Sequence, residues 1–438
     1  MSRPPFADRR APGMLSAILR AGLLAFALLL VSGAATRALA QGNDDCFACH
    51  NDKGLTKKRD GRTVSLFVDE ARYGKAMHAK VLCTDCHADL KGKDLPHDET
   101  LKPAQCRSCH QSEQAQHDLS LHGKAIARGD PLAPHCKDCH GSHDILPSQD
   151  PGSRTYHLNL PTTCGQCHGN DAVIKQAGIH GGNVMAMYED SIHGRALSRM
   201  GLVVAPSCAS CHGAHDVRGK GDAESRVNRQ HLAATCGKCH EGIETQYVRG
   251  AHGQQVAKGN LRAPVCADCH SAHQIQPAQT ADWRVGVVRE CGTCHTESLS
   301  TYRDTFHGQV TELGYARIAT CADCHGAHEM LPTSDPRSPV SAERRLSTCQ
   351  KCHAGATASF AQFDPHANAH DHSRNPMLYY TAQFMQLLLW GVFSFFGVHS
   401  GLWFVRSWRV MRQRRMPPKT QSARGDSPSA GGPDEPRH

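Results

Sequence analysis

Residues 122–143 read HGKAIARGDPLAPHCKDCHGSH, and three of their features recur along the chain. They are a His-Gly pair (His122-Gly123), a C-x-x-C-H pentapeptide (Cys136, Cys139, His140) and a histidine three residues beyond it (His143). Working outward, the pentapeptide occurs eleven times. The first five copies are Cys46, Cys49 and His50; Cys83, Cys86 and His87; Cys106, Cys109 and His110; Cys136, Cys139 and His140; Cys164, Cys167 and His168. The other six are Cys208, Cys211 and His212; Cys236, Cys239 and His240; Cys266, Cys269 and His270; Cys291, Cys294 and His295; Cys321, Cys324 and His325; Cys349, Cys352 and His353. Together they use all 22 cysteines, so none remains for a disulfide framework. The spacing lets two thiols add to the two vinyl groups of one haem while the adjoining histidine reaches its iron. Paired C-x-x-C zinc sites or a thioredoxin-like motif would not require histidine after every second cysteine. The expected cofactor is therefore haem c, eleven copies, covalently attached.

Composition agrees. A chain of 438 residues sets a prior of about three domains, yet only 39% of it is hydrophobic and 5% aromatic. That is too little for a conventional large core, and porphyrins would supply the missing apolar area. The expected fold class is mostly α and irregular: an elongated multihaem cytochrome c array with almost no sheet, plus one C-terminal transmembrane helix. The haem region is expected over 41–353, built from two-haem repeats.

The repeat supplies a second axial ligand for each iron. His-Gly precedes four motifs at a nearly fixed distance, at His122, His193, His252 and His307. The same four motifs are followed by His143, His215, His273 and His328, each three residues past a proximal histidine. A further motif follows 25 to 28 residues after the start of each. The pair at Cys83 and Cys106 is a divergent unit offering His78 and His97, and the motif at Cys46 caps the array. Ten distal candidates result. The step from Cys164 to Cys208 is 44 residues where comparable steps are 30, and its extra residues hold His180-Gly181, so His180 is the expected eleventh. A histidine three residues past a proximal one cannot readily reach the far face of its own haem, so it is expected to serve a neighbour. Glycine after the distal histidine is expected to let backbone approach the porphyrin. The mature haem region's methionines do not repeat with the motifs, so bis-His, low-potential haems follow. His117, His135, His157, His231, His366, His370 and His372 lie outside the repeat-placed set.

Both ends carry topology signals. Residues 1–40 show Arg3, Arg9, Arg10 and Arg20 before the apolar run Ala21 to Val31 and close on Ala38-Leu39-Ala40, as a secretory signal peptide cleaved after Ala40 would. Residues 377–405 contain no Asp, Glu, Lys or Arg over 29 positions, enough for a transmembrane helix. Tyr379 and Tyr380 flank one end, Trp403 and Trp408 the other. Arg406, Arg409, Arg412, Arg414, Arg415 and Lys419 follow, which places the tail 406–438 in the cytoplasm as a basic, disordered segment and the haems in the periplasm. Residues 354–376 are expected to form a juxtamembrane linker. Of the net charge of +8, residues 1–40 carry +4 and 406–438 carry +5, leaving about −1 between them before haem propionates are added. Nucleic acid is excluded as a partner.

The C-x-x-C-H array, the CHGxH variant and the His-Gly elements resemble the periplasmic multihaem cytochromes c of bacterial anaerobic respiration over roughly residues 43–353. The Arg-flanked helix is similar to that of quinone-linked, membrane-anchored members. The resemblance implies electron transfer between the membrane quinol pool, through an integral b-type cytochrome or other quinone-handling subunit, and periplasmic or outer-membrane acceptors, the chain being a non-catalytic subunit in the inner membrane. No motif is CxxCK, unlike the pentahaem nitrite reductases. The alternative is a terminal reductase of a small oxyanion or sulfur compound with one open haem site. Asp364, His366, His370, Asp371 and His372 precede the membrane helix, where they could accept protons or position a quinol, or form a solvated linker. His399, inside the span beside Gly397 and Gly401, could ligate a b-type haem shared with a partner, hydrogen-bond a partner helix, or snorkel to the interface.

Overall fold

The computed structural model describes residues 42–59, 61–97 and 100–415. The signal sequence expected over 1–40 and residues 416–438 of the tail expected over 406–438 lie outside the described residues, while residues 406–414, expected to be disordered, continue the C-terminal helix. Within them the chain is a succession of short helices joined by turns. The sheet is a single antiparallel hairpin, β1 (Thr56–Arg59) and β2 (Arg62–Ser65), in a register that pairs Thr56 with Ser65 and Arg59 with Arg62. The mostly helical, almost sheet-free architecture read from the sequence is the one observed.

Each full unit repeats one local plan. A short helix, such as Ile192–Ser198, carries the His-Gly pair. A one-turn helix, such as Cys208–His212, carries the first motif. It ends at a residue with positive φ: Gly141 (86°), Gly213 (82°), Ser271 (60°) or Gly326 (81°). That reversal sends the chain away from the haem motif and sets the direction of the close histidine two residues later. Asp138, Asp268 and Asp323 cap three of these helices by accepting the backbone N–H of His135, Val265 and Thr320 at 2.7–2.8 Å, which satisfies one of the N–H groups a helix start leaves open.

The glycine of the His-Gly pair has a different reason from the one expected. A Cβ on Gly123, Gly194, Gly253 or Gly308 would land far inside contact distance of the carbonyl oxygen of His117, Tyr188, Tyr247 or Tyr302, six residues earlier. The close approach is between two consecutive helices of the protein. Ser120, Ser191 and Thr305 staple the same junction by accepting the backbone N–H of Gly123, Gly194 and Gly308 and donating to the carbonyls of His117, Tyr188 and Tyr302. The tyrosines then reach forward: Tyr188, Tyr247 and Tyr302 donate to the carbonyls of Pro206, Pro264 and Ala319 just ahead of the next motif, at 2.7–2.8 Å. His117 fills the tyrosine's place in the unit with motifs at Cys136 and Cys164, and bonds to the carbonyl of Pro134.

Units are joined by one repeated backbone bond. The residue before each distal histidine donates its N–H to a carbonyl two residues past the close histidine of the following unit: Met77 to Ile145, Leu121 to Val217, Ile192 to Ile275 and Ala251 to Met330, at 2.7–2.9 Å. A second latch runs from the arm before the second motif. His157 bonds to the carbonyl of Ala205, while Arg229 reaches Ala263 and Asp268 and Arg284 reaches Ala316 and Asp323. These contacts are between neighbouring units, as in a solenoid.

The protein's own core is slight. Among the described residues twelve apolar residues are buried, five of them alanine, and the largest fully buried side chains are serines. The fourteen-residue excess before Cys208 becomes an extra helix, Asp171–Gln176, and a turn built on Gly178, Gly181 and Gly182. The C-terminal helix runs Pro376–Arg414, 39 residues whose most apolar 18-residue stretch has a mean hydropathy of 1.5, with no residue buried against the rest of the chain. At about 1.5 Å per residue it is nearly twice the ~30 Å hydrocarbon thickness. It is the one helix among the described residues that is long and apolar enough to cross a membrane.

Candidate haem-binding sites

Among the described residues eleven pairs of imidazole rings face each other, and every one contains a motif histidine. The centroid separations are 6.1 Å for His50 with His97, 6.0 Å for His110 with His78, and 6.3 Å for His87 with His143. They are 6.2 Å for His168 with His122, 5.9 Å for His140 with His215, and 6.2 Å for His240 with His193. His212 with His273 stand at 5.9 Å, and His295 with His252 and His270 with His328 at 6.2 Å. His353 with His307 stand at 6.0 Å, and His325 with His366 at 6.2 Å. A metal–nitrogen bond of about 2 Å, with about 1.2 Å more to each ring's centre, puts two imidazoles on opposite sides of one metal ~6.3 Å apart. The described pairs fall within 0.4 Å of that figure. They fit an iron held from both faces.

The pairing follows a stagger. In each full unit the His-Gly histidine faces the proximal histidine of that unit's own second motif, as His193 faces His240. The close histidine faces the first motif of the preceding unit, as His215 faces His140. The expectation that it serves a neighbour matches this placement. His78 and His97 extend the pattern into the divergent unit, His97 facing the lone first motif at His50.

Two corrections follow. His180, expected as the eleventh distal ring, is exposed on the turn after Asp171–Gln176 and is brought to no motif histidine. The inserted residues form a surface excursion that leaves the unit's ring pairs in place. The eleventh ring is His366, from the segment expected to be a linker. That segment is folded back on the helix Thr296–Arg303, where Asn368 approaches Glu297 and His366 bonds to Thr301. His370 and His372 stay exposed, His372 bonding to the Tyr380 hydroxyl at 2.9 Å, and His399 is exposed on the bare C-terminal helix.

Electrostatics favour the ligating form. Burial, reinforced by the neighbouring His168, lowers the pKa of His122 to about 4. Burial also holds His140, His212, His273 and His325 below the usual imidazole value, so the rings are neutral and free to donate a lone pair. His50 Nδ1 lies 2.8 Å from the Leu66 carbonyl, just after β2, which leaves Nε2 for a metal. The Nδ1 of His87 is buried with no protein partner. Burial, helped by Cys46, pushes the Cys83 thiol up to about 12, and burial raises Cys139 and Cys269 to about 11. Among the described residues no group of three His, Cys, Asp or Glu is placed to hold a bare metal ion.

The cysteines also fix the order of the attachment points. The first thiols of the motifs at Cys46 and Cys83, Cys106 and Cys136, Cys164 and Cys208, Cys236 and Cys266, and Cys291 and Cys321 lie close enough in pairs to influence each other. The intervening steps juxtapose Cys86 with Cys109, Cys139 with Cys164, Cys211 with Cys239, Cys269 with Cys291 and Cys324 with Cys349. Eleven attachment points therefore lie in one file, in chain order. Sequence reasoning did not reach this order.

Motif chemistry, facing rings and filed thiols together define a protein built to hold many c-type haems. Among known proteins the chain is similar to the multiheme cytochrome MtrA of Shewanella baltica (strain OS185), 26% identical over 180 residues, which are 39% of this chain and 49% of the relative. The chain thus spans about half the length of the curated relative it matches. No family model and no solved structure matches it. The similarity supports a multihaem c-type cytochrome.

Proposed function

We propose that the chain is a membrane-anchored electron wire of eleven bis-His haems c, carrying electrons between a quinol-handling membrane partner, such as an integral b-type cytochrome, and acceptors in the periplasm or outer membrane. The observation that carries this reading is the set of eleven facing imidazole pairs on attachment points filed in chain order. Attached haems supply one-electron redox chemistry, tuned by their axial ligands and burial. The chain's own contribution is to attach, orient and space them. The thiols fix each group covalently, the staggered histidines clamp it from both sides, and the latches between units keep neighbours from drifting apart. A second imidazole opposite every motif histidine argues against a reductase, which needs an iron face open to substrate. The exposed apolar helix with Arg406, Arg409, Arg412 and Arg414 at its end supports anchoring in the inner membrane with the haems outside.

The test uses full-length protein in its own membranes. Pyridine haemochrome and intact mass are expected to give eleven haems c per chain, electron paramagnetic resonance only low-spin ferric haem, and a reduced quinone analogue to reduce the haems when the membrane partner is present. A stoichiometric high-spin component with turnover of a small oxyanion would replace this reading by the reductase.

A further inference from the structure

The stagger makes a demand at the C-terminal end. Every first-motif haem site borrows its second ring from the unit that follows, as His212 borrows His273 and His270 borrows His328. No unit follows the last one, whose motifs are at Cys321 and Cys349. His325 would be left with an open face.

We infer that the juxtamembrane segment is the missing half-unit, and that its His366 is the axial ligand to the iron of the haem on Cys321 and Cys324; the inference rests on the eleven-haem reading above. The His366 ring centroid stands 6.2 Å from that of His325, the same separation as the pairs the repeat supplies. Its Nδ1 is 3.0 Å from the hydroxyl of Thr301, which is 4% exposed. That contact fixes the ring from behind and leaves Nε2 toward the metal, the arrangement His50 has through the Leu66 carbonyl. The segment is braced at both ends. Asp364 accepts the His366 N–H at 2.9 Å and holds Arg374 at 3.3 Å. Asn375 Oδ1 accepts the Asn368 N–H at 3.0 Å, immediately before the helix that starts at Pro376. The tenth haem site is thus closed by a residue only ten positions from the anchor, and the membrane end of the file is its C-terminal end. His366 is spoken for by iron; His370 and His372 remain for other roles.

His366→Ala in the full-length holoprotein is expected to keep eleven thioether-bound haems while converting one of the eleven from low-spin to high-spin ferric, and added imidazole should restore the low-spin spectrum. His180→Ala should leave the spectrum unchanged. His366→Met, which keeps a ligand in place, should raise the potential of about one-eleventh of the haem in a redox titration. This variant decides the matter if the alanine protein does not accumulate. Low-spin spectra throughout His366→Ala, a high-spin haem in His180→Ala, or an unshifted titration in His366→Met would overturn the assignment. Fewer than eleven haems in the unaltered protein would instead count against the electron-wire reading itself.

Discussion

At the scale of single residues, the sequence spelled out the chemistry more fully than its geometry. All 22 motif cysteines, the eleven motif histidines and ten of the facing rings could be named from spacing, because they sit in repeated contexts. The eleventh could not. His180 carries the His-Gly signature yet lies on an insertion, while His366 has neither signature and stands 41 residues from His325. What would have found it is the stagger, since a ligand lent backward by each unit requires a donor beyond the last motif. The His-Gly glycines were legible as special but for the wrong partner. Gly194→Ala is expected to push the carbonyl of Tyr188 away and cost about 1–3 kcal/mol. Calorimetry should show the lowered melting temperature, and the displaced His193 should leave the haem at His240 partly high-spin.

At the scale of elements, the one-turn motif helices work because each is closed at both ends. An aspartate or serine caps the start, and a positive-φ residue turns the chain out of the end. Ser271 is the exception among the four, at φ 60° where the others are glycine. Ser271→Gly should therefore stabilise the protein by about 1 kcal/mol, seen as a higher melting temperature with an unchanged haem spectrum. The helix Asp171–Gln176 makes the complementary case. In other units the distal histidine lies twelve positions beyond the second motif's histidine, and in this unit it lies 25 beyond. Excising residues 169–181 should restore the common spacing and leave eleven low-spin haems, because no ring pair draws on the removed stretch. High-spin haem after the excision would mean that the excursion carries a ligand after all.

At the scale of the whole molecule, the twelve apolar residues buried among those described cannot offset the conformational entropy of ordering several hundred. Chain made without haem attachment is expected to be unfolded by circular dichroism, and a folded apoprotein would contradict that dependence on cofactor. The low hydrophobic content announced this from sequence alone; the order of the attachment points did not, because it depends on which thiols meet across units. Truncation offers a further check. A chain ending at 375 should leave the membrane with all its haems low-spin, whereas one ending at 363 should also lose the ring that faces His325.

The stagger also bears on how such an array changes length. Each unit takes a ring from its successor and gives one to its predecessor, so a tandem copy of a whole unit would slot between two others with every iron still served. A break anywhere inside a unit would strand a metal on one side and a spare imidazole on the other. Growth by duplication of whole modules is thus open to this architecture, and the terminal ring from the anchor segment can close a file of any number of them.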